Sequence, residues 1–279
     1  MFRSARRRRR LALIAQLVAV LLAVGGAVTV IAEGPGVPPD RLTADEIGPP
    51  LVAGPLPPSA DPPPTATATA ASPSPSPVLR MPGAVPTAGT GRFGHDDHSG
   101  PVLGRSGELR RYRVAVESGS NEDIAAFAQA VQVALAGPGS WVDSGRLRLQ
   151  QVPGDAPRDF TVYLATARTA GRMCAEGGVD IRIGGRPYTS CRAPGQVIIN
   201  LDRWRLSVPH YVSAGVPLAV YRTYVVNHEV GHQLGHRHER CPGAGRPAPV
   251  MMQQTLFLNG CRVNPWPYVN GRRYAGPAL

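Results

Sequence analysis

The chain contains no lysine, so arginine alone supplies its positive charge. Its 30 arginines stand against 19 acidic residues, which gives a formal net charge of +11. Residues 105–279 hold 21 arginines against 12 acids, a balance of +9. A recognisable nucleic-acid-binding motif is also missing, which argues against nucleic acid as the partner of this charge. The charge either complements anionic cell-envelope polymers or phospholipid headgroups, or is simply solvated.

Aromatic residues are absent between Phe2 and Phe93, and 16 of the 30 prolines lie between Glu33 and Thr90. Such a stretch cannot bury enough apolar surface to fold. We therefore predict that residues 33–104 form a disordered, proline-stiffened linker, which is either a stalk or a tether without a specific task. The histidine-rich run His95–His98 within it is either a weak metal-binding or inhibitory segment, or a solvated end of the linker.

Charged residues are also absent from residues 11–32, a run long enough for a helix of about 33 Å. This length suffices to cross a hydrocarbon core of about 30 Å. Because Arg6–Arg10 precede it, we predict a basic cytoplasmic end at 1–10 and a transmembrane signal-anchor at 11–32. A cleaved signal peptide ending at Ala32 is the alternative. Either segment exports the domain at 105–279.

The four cysteines include no C-x-x-C pair, which argues against cysteine as a zinc ligand. All four lie in the exported part, where oxidation is expected. Three pairings are possible, and we favour the two that close short loops, Cys174–Cys191 and Cys241–Cys261.

Acidic residues are absent after Glu239, whereas four of the seven histidines crowd into residues 228–238. Their spacing, H-E-x-x-H-x-x-G-x-x-H, is typical of a catalytic zinc site. His228 and His232 lie four residues apart and share one helix face. Glu229 is placed to act as general base rather than as a ligand. The missing downstream acids argue against a carboxylate as the third ligand.

His236 and His238 compete to be that third ligand. On a continuous helix His236 would lie about 12 Å along the axis from His228, too far to share one ion. Gly235 allows the chain to turn. We therefore predict that His228, His232 and His238 bind Zn²⁺ and that His236 lies outside the site.

Hydrophobic periodicity predicts an α+β domain. Strands are expected at 111–117, 146–152, 159–166 and 196–200, the last continuing through 201–204, and helices at 121–136, 167–175 and 217–235. Ser120 is the expected cap of the first helix.

The histidine motif resembles that of the metzincin clan of zinc metallopeptidases. This resemblance implies a Met-containing turn beneath the metal, with Met251 as first choice and Met252 as the alternative. The chain from about Arg110 to Tyr268 also resembles an actinobacterial family known as domain of unknown function 3152. The matching segments are Arg111–Val114, Asp159–Phe160–Thr161–Val162, Val225–His232, Arg246–Thr255 and Asn264–Pro267.

These resemblances imply a zincin-like fold, a mixed twisted sheet with helices, for residues 105–279. They also imply that strand 196–200 is the sheet edge that pairs with an extended peptide; the alternative is an ordinary strand of the sheet. Tyr268 or Tyr274 is a candidate to stabilise the oxyanion. The expected function is an extracytoplasmic zinc-dependent metallopeptidase acting on peptides or proteins. The alternatives are a non-catalytic zinc-containing binding module of the cell envelope and a zinc amidase acting on cell-wall peptides.

Overall fold

A six-stranded mixed sheet organises residues 76–279, which are the residues that the computed structural model describes. The predicted basic end, the transmembrane segment and most of the predicted linker lie outside these residues. Within residues 76–279, no helix combines the length and apolar character needed to cross a membrane. The sheet strands are β1 (Phe93–His95), β2 (Glu108–Glu117), β3 (Leu147–Gln151), β4 (Phe160–Ala165), β7 (Cys191–Ala193) and β8 (Gln196–Asn200). Two small hairpins consist of β5 (Arg182–Ile183) with β6 (Arg186–Pro187), and β9 (Tyr268–Val269) with β10 (Arg272–Arg273).

Among residues 76–279, five α-helices and one 3₁₀ turn accompany the strands. They are α1 (Ile124–Ala136), the 3₁₀ turn Trp141–Ser144, α2 (Ala167–Glu176), α3 (Leu201–Leu206), α4 (Pro209–Ser213) and α5 (Leu218–Gln233). The mixture confirms the predicted α+β class.

The centre of the sheet is parallel and its two flanks carry antiparallel strands. β2, β4 and β8 pair in parallel, and β3 pairs in parallel with the first half of β2. β1 is antiparallel to the second half of β2, and β7 is antiparallel to β8 at the opposite edge. The central strands are apolar at consecutive positions because both sheet faces are covered. Residues 114–116 of β2 and residues 197–199 of β8 are all buried.

Helix α5 packs against α1 and against the β7–β8 edge of the sheet. Residues 224–231 of α5 are all buried, so this helix runs through the core rather than across the surface. The predicted helix 217–235 is thus confirmed, with Leu218 and Gln233 as its ends.

Two local predictions fail because of short polar side chains. Asp123, not Ser120, caps α1, since its carboxylate accepts a hydrogen bond from the Ala126 amide at 2.7 Å. Residues 201–204 belong to helix α3 rather than extending strand β8. The Asn200 side chain accepts a hydrogen bond from the Asp202 amide at 3.0 Å and so starts that helix.

The predicted linker boundary at residue 104 is also wrong, because residues 76–104 belong to the same compact unit as the rest of the domain. The Val78 carbonyl accepts a hydrogen bond from the Leu218 amide at 2.8 Å, and Met81 bonds to Arg205. His95 lies in β1, and the buried Asp96 bonds to His98 and Gln151. Backbone pairing and polar contacts hold this segment in place. Its amino-acid composition, which is poor in aromatic residues, does not reveal these contacts.

The buried Glu117 fastens the same segment to the sheet. Its carboxylate accepts hydrogen bonds from the Gly91 amide at 2.8 Å, the Thr166 amide and hydroxyl at 2.8 Å each, and the Thr169 hydroxyl at 2.6 Å. All these donors point at one carboxylate that is only 1% exposed. Four bonds compensate the cost of burying its charge.

Both predicted disulfides are present. Cys174–Cys191 joins α2 to the edge strand β7, and Cys241–Cys261 closes a loop around the Met251 segment. Two disulfides indicate an oxidising, extracytoplasmic location.

Candidate metal centre

The end of α5 brings the histidines together through a tight helix-terminating turn. Gly235 has a φ of +94°, a conformation that glycine adopts without steric cost. Its amide bonds to the His232 carbonyl at 3.1 Å, and the His236 amide bonds to the Gly231 carbonyl at 2.9 Å. This is the Schellman pattern of a helix end. The predicted turn at Gly235 is therefore confirmed, and it lets His238 return to the helix face.

Three histidines converge at this turn. Ligand atoms of His228, His232 and His238 all lie within 4.8 Å of one another, the only such group of histidine, cysteine or acidic side chains among residues 76–279. The Nε2 atoms of His232 and His238 are 3.0 Å apart. Two nitrogens on a tetrahedral zinc would be about 3.3 Å apart. The spacing therefore fits one small metal ion.

Backbone carbonyls fix the ring orientation of two of these histidines. His228 Nδ1 donates a hydrogen bond to the Val250 carbonyl, and His232 Nδ1 donates one to the His236 carbonyl, each at 2.8 Å. A carbonyl can only accept, so Nδ1 carries the proton and Nε2 keeps its lone pair. This is the arrangement that metal-binding histidines use.

The histidines are also held in the neutral state that binds metals. Burial, followed by the neighbouring histidines, lowers the pKa of His228 well below its ordinary value. Burial likewise lowers the pKa of His232, and it lowers the pKa of His238 to about 4. The lowered pKa values favour the neutral imidazole, the form that binds a metal, at all three positions.

Glu229 lies beside the histidines in the same cleft. Its side chain is nearly inaccessible, and residues 76–279 form no hydrogen bond to its carboxylate. Burial raises the pKa of Glu229 to about 8, and a nearby dication would lower it. The carboxylate is thus positioned to exchange a proton rather than to bind another side chain.

His236 serves the site from outside the cluster. Its ring stacks on Trp141, with ring centroids 4.3 Å apart and planes 19° apart. Its carbonyl is the group that orients His232. Trp141 is itself fixed, because its Nε1 donates to the Asn227 carbonyl at 2.8 Å.

The predicted Met-containing segment lies directly beneath α5. Met251 is fully buried, and a methyl group on Gly231 would overlap its sulfur. Met252 is equally buried but packs with Ala248 and Cys261 instead. The same segment supplies the Val250 carbonyl to His228, and the Met251 carbonyl accepts from the Glu239 amide at 3.1 Å. Its backbone therefore holds His228 directly and holds the residue that follows His238.

The cluster of His228, His232 and His238 opens into a cleft of about 360 Å³. Its lining is Val179, Asp180, Thr189, Ser190, Cys191, Arg192, Tyr224, His228, Glu229, His232, His238, Gln253, Thr255 and Leu256. Edge strand β7 borders this cleft, whereas β8 lies inside the sheet between β4 and β7. The assignment of strand 196–200 as the edge is therefore wrong. Tyr268 and Tyr274 are absent from the lining, so neither borders the cleft.

Arg273 is a site residue that sequence reasoning missed. Its guanidinium bonds to the Glu239 carboxylate at 2.7 Å, next to His238, and lies 5.2 Å from the Trp141 ring centre. One arginine thus contacts both Glu239, which follows His238, and Trp141, which stacks on His236. It is 34 residues from Glu239 in the sequence and one of 30 arginines, so no local pattern marks it.

A family model described as "Protein of unknown function (DUF3152)" matches residues 80–269. The match begins within the segment 76–104 that packs on the sheet. No curated protein and no solved structure matches the chain.

Proposed function

The chain belongs to the DUF3152 family, and from the site itself we propose that it is a zinc-dependent hydrolase of peptide bonds. The observation that carries the proposal is the convergence of His228, His232 and His238 next to a buried, unpaired Glu229 in an open cleft. Imidazole nitrogens without a carboxylate suit zinc better than magnesium or calcium. Three protein ligands leave the open position that a catalytic site needs, whereas structural zinc sites are normally closed by four. This count favours an enzyme over a binding module.

A bound zinc ion would supply Lewis-acid polarisation of the scissile carbonyl and acidify the attacking water. The protein residues do the rest. Glu229 accepts a proton from that water and passes it to the leaving amine, so its carboxylate is restored when the peptide bond is broken. The Val250 and His236 carbonyls keep the imidazoles of His228 and His232 in position during this cycle.

The metzincin assignment is supported by two features beyond the ligands. The chain turns at Gly235 so that a histidine outside the helix completes the cluster. Met251 packs under Gly231, one residue before the second ligand. Edge strand β7 provides the element along which an extended peptide can pair by backbone hydrogen bonds. We propose that the scissile bond is placed in this way.

The proposed enzyme acts outside the cytoplasm, in line with its two disulfides. Residues 11–32 either anchor it in the membrane or are removed as a signal peptide. In both cases the substrate is an extracytoplasmic peptide or protein.

The test compares the purified chain with Glu229→Ala. Wild type should contain one zinc and cleave members of a peptide library that includes cell-wall peptides, and Glu229→Ala should keep the zinc but lose cleavage. Asp155→Ala is the control, because this exposed acid forms no ion pair or side-chain hydrogen bond with residues 76–279. It should behave as wild type. A wild type without zinc, or equal cleavage by wild type and Glu229→Ala, would overturn the proposal.

A further inference from the structure

A second hollow adjoins the metal cleft and is lined by arginines. It measures about 840 Å³, and we name it the arginine groove for Arg168 and Arg172 of α2 and Arg182 and Arg186 of the β5–β6 hairpin. All four side chains are exposed. Arg182 bonds to Asp180 at 2.8 Å, and Arg172 lies 3.9 Å from Glu176. Within residues 76–279, Arg168 and Arg186 form no ion pair, so two cations of the groove lack an acidic partner.

The arginine groove and the metal cleft share one rim. Val179 and Asp180 line both hollows. The Cys174–Cys191 disulfide ties α2, which backs the groove, to β7, which borders the cleft. A chain lying in the cleft would therefore reach the groove across Val179 and Asp180.

We propose that the arginine groove binds an acidic stretch of the polypeptide substrate, at a distance from the bond that is cut. This proposal rests on the proposed peptidase function for the identity of the occupant. Carboxylates of the bound segment would lie against Arg168 and Arg186, the arginines without an acidic partner. The groove would then select, among peptides that fit the cleft, those with acidic residues beyond it.

The remaining lining favours a peptide over a phosphate polymer. Asp180 and Asp202 also face the groove, and apolar surface comes from Ala167, Val179 and Pro187. A polymer with a negative charge on every unit would place charges against these two carboxylates as well as against the arginines, which weakens its binding. A peptide can place its carboxylates at the arginines and apolar side chains between them. The mixed lining thus matches spaced rather than continuous charge.

The test measures peptide binding to the zinc-loaded full chain carrying Glu229→Ala, which holds substrate without cutting it. Two fluorescent peptides of identical sequence are compared, one with three aspartates at one end and one with asparagines instead. We expect the aspartate peptide to bind about two- to tenfold more tightly, the range for a few exposed ion pairs. Adding Arg168→Gln and Arg186→Gln should remove this preference. Adding Arg105→Gln and Arg262→Gln instead should preserve it, because these exposed arginines line neither hollow.

Three results would overturn the proposal. These are equal affinity for the two peptides, an equal loss of preference in the control pair, or stronger arginine-dependent binding of inorganic polyphosphate than of the aspartate peptide. The peptidase function and the arginine groove can be rejected independently of each other. Cleavage by wild type without acidic preference rejects the groove alone. If wild type cleaves no peptide, the peptidase function is rejected, while the binding assay still decides the groove.

Discussion

Gly231 contributes both to the packing of the domain core and to the geometry of the metal centre. It lies in α5 between the first two histidines, with Met251 on one side and Trp141 on the other. An added β-carbon would overlap Met251 Sδ and lie 2.7 Å from Trp141 Cζ2. Both neighbours are buried, and an indole ring cannot bend away. We therefore predict that Gly231→Ala destabilises the protein.

The magnitude follows from two opposing effects. Overpacking a buried site costs about 1–3 kcal/mol. Replacing glycine by alanine inside a helix returns about 1 kcal/mol. With short contacts on two sides, we expect a net loss of about 1–2 kcal/mol, which lowers Tm by about 2–4 °C per kcal/mol in a domain of this size. A displaced Trp141 would also shift His236, whose carbonyl orients His232. Zinc affinity should therefore fall by about tenfold.

The assays are thermal unfolding in the presence of a chelator and zinc titration against a chromophoric competitor. Thr223→Ala in the same helix is the control, since it gains helix propensity while adding no atoms. It should unfold at or slightly above the wild-type temperature. A Gly231→Ala protein as stable as wild type, with unchanged zinc affinity, would refute the argument that this contact is rigid.

Three further predictions concern the supports of the fold and the site. Arg273→Gln should weaken zinc binding about tenfold by loosening Glu239 beside His238, whereas Arg272→Gln, at the exposed neighbour, should leave the titration unchanged. Glu117→Gln should lower the free energy of unfolding in urea by about 1–3 kcal/mol, because its amide NH₂ would face hydrogen-bond donors. A Glu117→Gln protein as stable as wild type would show that residues 89–91 are not held by this carboxylate. Replacing Cys241 and Cys261 together by serine should cost about 2–4 kcal/mol for a loop of this length, measured in the same urea assay, and an unchanged midpoint would contradict it.

The histidine cluster could be predicted because its residues lie close together in the sequence. His228, His232 and Gly235 lie within three helical turns, so helix geometry alone separates His236 from His238. The supports of the cluster could not be predicted, because they come from distant parts of the chain. Trp141, Val250 and Arg273 reach the site only through the tertiary fold.

The failures in the fold have the same origin. Residues 76–104 contain few apolar side chains, yet they are held by backbone pairing and by Glu117, which composition does not reveal. Apolar residues continue past strand β8 as Leu201 and Trp204, and the Asn200 cap separates strand from helix. Strand β7 is only three residues long, too short to stand out in the sequence, and it pairs antiparallel with β8, so it occupies the edge that the resemblance assigns to β8.

The most direct test of the account is zinc-edge X-ray absorption on the zinc-loaded full chain. We predict three imidazole nitrogens at about 2.0–2.1 Å from the zinc and one oxygen that does not come from the protein. Replacing His238 by alanine should remove one imidazole, while replacing His236 should leave three. A first shell of four protein ligands in wild type, or three imidazoles after loss of His238, would contradict it.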